Sequence, residues 1–289
     1  MDTSDLLKRV RQIEIKTRAL SNNIFAGEYH SAYKGHGMSF SEVREYQFGD
    51  DIRDIDWNVT ARFNHPYIKV FEEERELTVM LLIDVSSSLS FGTVNMFQRD
   101  MVTEIAATLA CSAIQNNDKI GVILFSDKIE EYIPPKKGRK HILYIIRELL
   151  NFKPDGQRTD IKVALEFLMN TQHKSCTAFL ISDFIDRNDY SQAVLIANRK
   201  HDLAAIQVYD RFMAALPNVG LIKVCDAEKG HEQYIDSSSK KVRDAHSRSW
   251  SILEKNLTET MNKSNVDLIS IRTDEDYVKA LINLFSKRR

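Results

Sequence analysis

The chain has 289 residues, 43% of them apolar and 28% charged, the composition of a globular protein with room for one large domain or for one domain and a smaller module. Its 40 Lys and Arg nearly balance 41 Asp and Glu, a formal net charge of -1. That balance argues against a nucleic acid or an anionic membrane surface as partner, since both call for a basic surplus.

The N-terminal stretch MDTSDLLKRVRQIEIKTRAL lacks the long apolar core of a signal peptide. No apolar run anywhere approaches the roughly 18 residues of a membrane-spanning helix. The expected location is therefore the cytoplasm, with no membrane insertion. Leu6, Leu7, Val10, Ile13 and Ile15 behind Ser4 predict an amphipathic helix from Asp5 to about Asn22. Residues 25–75 hold Gly27, Gly35, Gly37 and Gly49 amid aromatics and dense charge, and read as a loop-rich segment with short strands. The first 75 residues are thus expected to form a helix plus a small separate segment, and residues 76–289 the main domain.

From there the pattern is regular. Leu77–Ile83 is a near-continuous apolar run, suited to a strand buried on both faces. Asn95–Gln115 follows as a helix with Phe97, Met101, Ile105, Leu109 and Ala113 on one stripe. Lys119–Phe125 is a second buried strand, and Lys128–Ile133 pairs back on it as an antiparallel edge before Pro134, Pro135 and Gly138 break the chain. Helices Arg139–Leu150 and Ile161–Met169 precede the strand Cys176–Ile181. Helix Ser191–Lys200 then leads to the strand Leu203–Val208. Leu221–Val224 and Gln233–Ile235 read as a hairpin across Ala227–Gly230. A long polar helix, Ser238–Asn262, a last strand, Val266–Ile271, and a last helix, Tyr277–Phe285, complete the chain. Apolar strands alternating with helices predict a doubly wound α/β domain with a mostly parallel sheet. Cys111, Cys176 and Cys225 are far apart and each sits in apolar sequence, which reads as buried reduced thiols.

In such a sheet, ligands bind at the carboxyl ends of the strands. The first strand there runs into Asp84-Val85-Ser86-Ser87-Ser88, the third into Ser182-Asp183, and the loop before the helix at 161 carries Thr159-Asp160. Asp84, Ser86, Ser88, Thr159 and Asp183 together offer two acids and three hydroxyls. These are hard oxygen donors suited to Mg²⁺ or Mn²⁺ rather than zinc or copper. Neutral hydroxyl ligands leave the cation electrophilic, so an open position favours a carboxylate from outside. The alternative for each residue is a helix or turn cap.

Asp84-x-Ser86-x-Ser88 with Thr159 and Asp183, in this order on this alternation of strands and helices, resembles the metal-ion-dependent adhesion site of von Willebrand factor type A domains over about residues 76–289. The resemblance implies Ser and Thr hydroxyls as direct ligands, acids acting through water, and partner binding rather than catalysis. Residues 35–62, GHGMSFSEVREYQFGDDIRDIDWNVTAR, resemble the signature of the bacterial domain-of-unknown-function family 58, which joins such a segment to a von Willebrand A-like domain. The match includes Gly35, Gly37, Phe40, Arg44, Tyr46, Gly49-Asp50-Asp51, Arg53, Ile55-Asp56-Trp57 and Ala61-Arg62. It implies a MoxR-type AAA+ ATPase as partner. The family's Asp-Pro-x-Glu-like step after the fourth strand is Tyr209-Asp210-Arg211-Phe212 here, which keeps only the acid.

Without the family, residues 35–62 are a weave of opposite charge around aromatics. In it Arg44, Arg53 and Arg62 are expected to pair with Asp50, Asp51, Asp54 or Asp56, and Tyr46 and Trp57 offer stacking faces. There is no GxSxG elbow, phosphate loop or GxGxxG. The expected function is a metal-dependent interaction module, an adaptor of an AAA+ ATPase acting on client proteins that offer a carboxylate. The alternative is a Mg²⁺-dependent phosphoesterase at the same site, with Asp127 and Asp186 as the acids nearest by sequence to serve as a base.

Overall fold

The computed structural model describes residues 38–73, 77–90, 92, 97–156, 158–225 and 232–288. It omits side-chain detail at 38–41, 70–73, 90, 114, 225 and 287. The chain divides into two compact units, one spanning Tyr33–Leu77 and the other containing Thr78–Arg289. The predicted helix over 5–22 lies outside the described residues.

In the smaller unit, strands β1 (Met38–Glu45) and β2 (Tyr67–Glu73) pair antiparallel, with an irregularity between Phe40 and Glu42. Between them lie a 3-10 turn, Ile52–Asp54, and helix α1 (Trp57–Phe63), which the sequence reading did not foresee. The Asp56 carboxylate accepts the amides of Asn58 and Val59 and starts α1, and Asn64 ends it in the left-handed region at φ 58°. Of the expected charge weave, Arg44 and Asp50 form the bidentate pair, at 2.7 and 2.9 Å. Asp51 and Asp56 instead accept backbone amides, and Lys69 approaches Asp56 at 3.6 Å. Asp51 and Asp56 thus shape the chain reversal, and Asp50 alone of the four acids has a described pair with a guanidinium group.

The larger unit is built on a six-stranded sheet of β3 (Thr78–Asp84), β4 (Lys119–Phe125), β5 (Ile129–Lys136), β6 (Thr177–Ser182), β7 (Asp202–Tyr209) and β10 (Asp267–Arg272). The spatial order is β10-β7-β6-β3-β4-β5, all parallel except the edge strand β5. The helices are α2 (Gln98–Gln115), α3 (Arg139–Asn151), α4 (Ile161–Thr171), α5 (Ser191–Lys200), the one-turn α6 (Arg211–Ala214), α7 (Lys240–Lys263) and α8 (Tyr277–Lys287). A hairpin of β8 (Leu221–Cys225) and β9 (Glu232–Asp236) stands outside the main sheet.

The alternation along β3 shows why this sequence makes two layers of helices. Val79, Leu81 and Ile83 face α2, α3 and α8, while Met80 and Leu82 face α4, α5 and α7. A strand buried on both faces must be apolar throughout, and five fully or nearly fully buried residues in a row, Val79–Ile83, meet that demand. The doubly wound, mostly parallel sheet is therefore present.

Two expectations need correction. The edge strand does not stop before Pro134 and Pro135 but runs through both to Lys136; at the sheet edge a missing N–H costs no ladder bond. Phe97 is more than half exposed ahead of α2, whereas Met101, Ile105, Leu109 and Ala113 form the buried stripe. Cys111 and Cys176 are buried thiols. No helix among the described residues is long and apolar enough to cross a membrane.

Candidate metal site at the switch point

The chain leaves β3 in one direction to β4 and β5 and in the other to β6, β7 and β10. The strand order thus reverses between β3 and β6, and doubly wound folds bind their ligands at the carboxyl ends of the strands flanking such a point. β3 and β6 run in level register, Ile83 beside Ile181, so Asp84 and Ser182 end the two central strands side by side.

Asp84 is the last residue of β3 and 1% exposed. Its Oδ1 accepts the amide of Ser86 at 2.9 Å, which turns the chain back over the strand end. The amide of Val85 still pairs with the Phe125 carbonyl at 2.8 Å, so the turn is tied to β4, and Leu89 anchors the 3-10 turn Ser87–Ser90 in the core. In consequence Ser86 Oγ stands 3.0 Å from Ser88 Oγ. Thr159, brought in by another loop, donates to Ser86 Oγ at 2.9 Å and stands 3.4 Å from Asp84 Oδ2.

Thr159 is held by a clamp that the sequence reading missed. Glu130 on β5 accepts the Gly156 amide at 2.7 Å and the Ser126 hydroxyl at 2.6 Å, and the Asp160 amide donates to the Ser126 carbonyl at 2.9 Å. Hydrogen bonds to its carboxylate hold the Glu130 acid below its usual range against the opposing effect of burial. Gly156 lies so close that an added Cβ would fall 2.1 Å from Ser126 Oγ and 2.2 Å from Asp127 Oδ1. Just beyond Thr159, Asp160 caps α4 through the Val163 amide, and Asp186 accepts the amides of Ile161 and Asn188.

Asp183, 1% exposed, follows directly on Ser182 and so lies one residue beyond the point level with Asp84. Its Oδ1 accepts the Ile185 amide at 3.0 Å, and its carbonyl accepts the Gln207 carboxamide at 3.3 Å. Of the five sequence-predicted site residues, the structure joins Asp84, Ser86, Ser88 and Thr159 through contacts of 2.9–3.4 Å and sets Asp183 on the neighbouring strand end. The capping alternative applies in part to Asp84 and Asp183, each of which accepts the amide two residues on. The described hydrogen bonds of the Ser86 and Ser88 hydroxyls go to other side-chain oxygens, not to helix amides.

Ser182 completes the arrangement: its hydroxyl donates to Asp84 Oδ2 at 2.6 Å and is fully buried. The signal for it was the level ending of two adjacent parallel strands, which forces the residue before Asp183 against Asp84. Burial pushes the Asp84 carboxyl above its usual range; the groups that oppose this are the hydroxyls of Ser182, Ser86 and Thr159 and the Ser86 amide, none of them a cation. A buried carboxylate surrounded by neutral donors is a place where a cation would be stabilised.

The donor spacing fits a hard divalent ion. Octahedral Mg²⁺ with ligands at about 2.1 Å sets adjacent ligand oxygens about 3.0 Å apart; the two hydroxyl pairs are hydrogen-bonded at 3.0 and 2.9 Å, so an ion could replace those bonds with little movement of the oxygens. The donors are all oxygen. Among the described residues no group of three or more His, Cys, Asp or Glu gathers that could hold a metal ion, so hydroxyls must supply most of the ligands here.

Residues 42–253 match the family described as "Protein of unknown function DUF58". An uncharacterized protein of Mycobacterium tuberculosis is 29% identical over 293 residues, spanning 100% of this chain and 92% of its own length. Among solved structures, the conserved hypothetical protein BatB of Bacteroides thetaiotaomicron superposes with a TM-score of 0.49 at 15% identity, over 73% of this chain and 98% of its own. Proximal thread matrix protein 1 of the mussel byssus, in a form described as having a zinc-occupied MIDAS motif, superposes with a TM-score of 0.39 at 18% identity, over 47% and 38% of the two chains.

Proposed function

This chain belongs to the DUF58 family, and on that premise we propose that it is a divalent-cation-dependent protein-binding module. Asp84, Ser86, Ser88, Thr159 and Asp183 hold Mg²⁺ or Mn²⁺, and an acidic side chain of a partner completes the coordination shell. The observation that carries this reading is the meeting of the Ser86, Ser88 and Thr159 hydroxyls beside the buried Asp84 carboxylate.

Each residue has a distinct part. The three hydroxyls supply neutral oxygens, so the site carries the charge of only two carboxylates. Asp84 balances charge from beneath, with one oxygen held by the Ser86 amide and the other by Ser182. Asp183 contributes the second charge from a turn braced by Ile185 and Gln207. A bound cation would supply Lewis acidity toward one further oxygen donor, and an anionic donor gains most.

The partner class, a MoxR-type AAA+ ATPase together with client proteins of that system, comes from the family resemblance, and action in the cytoplasm is proposed from the sequence's want of a signal-peptide core and of a membrane-length apolar run. The division at residues 75/76 into a signature segment and a sheet domain belongs to the same proposal. The hydrolase reading would draw its base from Asp127 or Asp186: Asp186 accepts two backbone amides and braces its loop, and Asp127 stands 3.2 Å from a Ser126 hydroxyl whose hydrogen goes to Glu130 at 2.6 Å.

The test is capture of the ATPase on immobilised protein. Recovery in Mg²⁺, with loss in EDTA and with Asp84→Ala, is the expected result. Equal recovery in all three conditions overturns the metal bridge, and Mg²⁺-dependent phosphoester turnover abolished by Asp84→Ala overturns the binding role.

A further inference from the structure

We infer that Ser182 is the positioning residue of this site: it fixes the Asp84 carboxylate and the turn bearing Asp183 at once, and so sets metal affinity without touching the metal. The inference rests on the metal-binding reading above.

A serine hydroxyl has one hydrogen to give. The Phe184 amide donates into Ser182 Oγ at 2.9 Å, which leaves that hydrogen for Asp84 Oδ2 at 2.6 Å, the length of an O–H···O⁻ bond to a charged acceptor. The direction of the bond is thereby settled. Asp84 Oδ1 is held by the Ser86 amide and Oδ2 by Ser182, so both carboxylate oxygens have fixed places.

The other half of the hydroxyl's work lies in its own loop. Phe184 adopts φ 59°, the left-handed region, which L residues with a full side chain enter at a cost. Three constraints keep it there. Its amide is bound to Ser182 Oγ, the next amide is bound to Asp183 Oδ1, and its ring, 6% exposed, packs in the core near Tyr190. That turn sets the direction of Asp183. One buried hydroxyl therefore couples the two acids, which come from strands 98 residues apart at Asp84 and Ser182. Removing it leaves a carboxylate oxygen and an amide short of a partner in a dry place.

Outer partners of metal ligands typically change affinity by about 10–100-fold. Calorimetric titration of the full chain with MnCl₂ tests the inference. Ser182→Ala is expected to weaken binding at least about 10-fold, and Ser182→Thr, which keeps the hydroxyl, to stay near the native affinity. The melting temperature of the metal-free protein is read alongside. A serine that is merely structural lowers that temperature in Ser182→Ala and leaves Mn²⁺ affinity unmoved, which overturns the inference. So does Ser182→Thr binding as weakly as Ser182→Ala. If Ser182→Ala does not fold, Ser182→Cys, similar in shape but a poor donor, takes its place, and an unchanged affinity again overturns the inference. Absence of Mn²⁺ binding by the native protein overturns the metal-binding reading itself, whereas native binding with an undiminished Ser182→Ala overturns only the role of Ser182.

Discussion

The Thr159 hydroxyl lies 2.9 Å from the Ser86 hydroxyl, although 73 residues separate them. Two devices bring them together. The Asp84 carboxylate folds the first loop by taking the Ser86 amide, and the Glu130 clamp lays the second loop against the Ser126–Asp127 turn. The hydroxyl cluster is thus a product of strand ends and turn bonds, each of which can be altered singly.

Gly156→Ala places a methyl group where Ser126 Oγ and Asp127 Oδ1 already stand. Rotating those two side chains would break the Ser126–Glu130 bond and still leave the methyl group 2.8 Å from Ser126 Cβ, so the loop is expected to shift and carry Thr159 with it. Overpacking of this kind typically costs about 1–3 kcal/mol. Urea denaturation is expected to show that loss, and Mn²⁺ titration a matching weakening. A variant with native stability and affinity contradicts the clamp.

Asp84→Asn removes a buried charge whose partners are neutral. The variant is expected to lose its stabilisation by Mg²⁺. The pH dependence follows. A carboxyl whose folded-state pKa is raised binds its proton more tightly when folded, so its destabilising effect is relieved as pH falls through that raised value. Metal-free native protein should therefore gain stability from this group on mild acidification, and Asp84→Asn should not. Thermal melts across pH, with and without Mg²⁺, decide the matter.

His201 predicts an opposite limb. It is fully buried with its Nδ1 3.2 Å from Cys176 Sγ, and burial lowers its pKa from 6.5 to about 4. The unfolded chain takes up the proton first, so stability is present above 6.5 and is lost as pH falls from 6.5 toward 4. At about 1.4 kcal/mol per pKa unit the loss reaches up to about 3 kcal/mol. Replacing His201 with Gln should flatten this limb; an unchanged acid profile contradicts the assignment. The same burial pushes the Cys176 thiol up to about 12, in keeping with an inert core cysteine.

Much of the larger unit was legible because its demands are periodic. A strand that must be apolar on both faces, as Val79–Ile83 is, announces itself, and the strand-end acids and hydroxyls at Asp84, Ser86, Ser88 and Asp183 stand out against it. Edge strand β5 was cut short at Pro134 because a proline looks like a break unless the strand is known to have a free side. Helix α1 was missed because its Asp56 cap sits among acids that seemed destined for arginines. The Glu130 clamp and Ser182 depend on registers between distant segments, and no local pattern encodes those.

The central claim is that one hard cation sits among Ser86, Ser88 and Thr159. Anomalous diffraction from crystals grown in Mn²⁺ tests it directly. The account predicts a single strong peak about 2.1–2.2 Å from those three hydroxyl oxygens, absent in Asp84→Ala. No peak there in the native protein, or a peak that persists in Asp84→Ala, contradicts it.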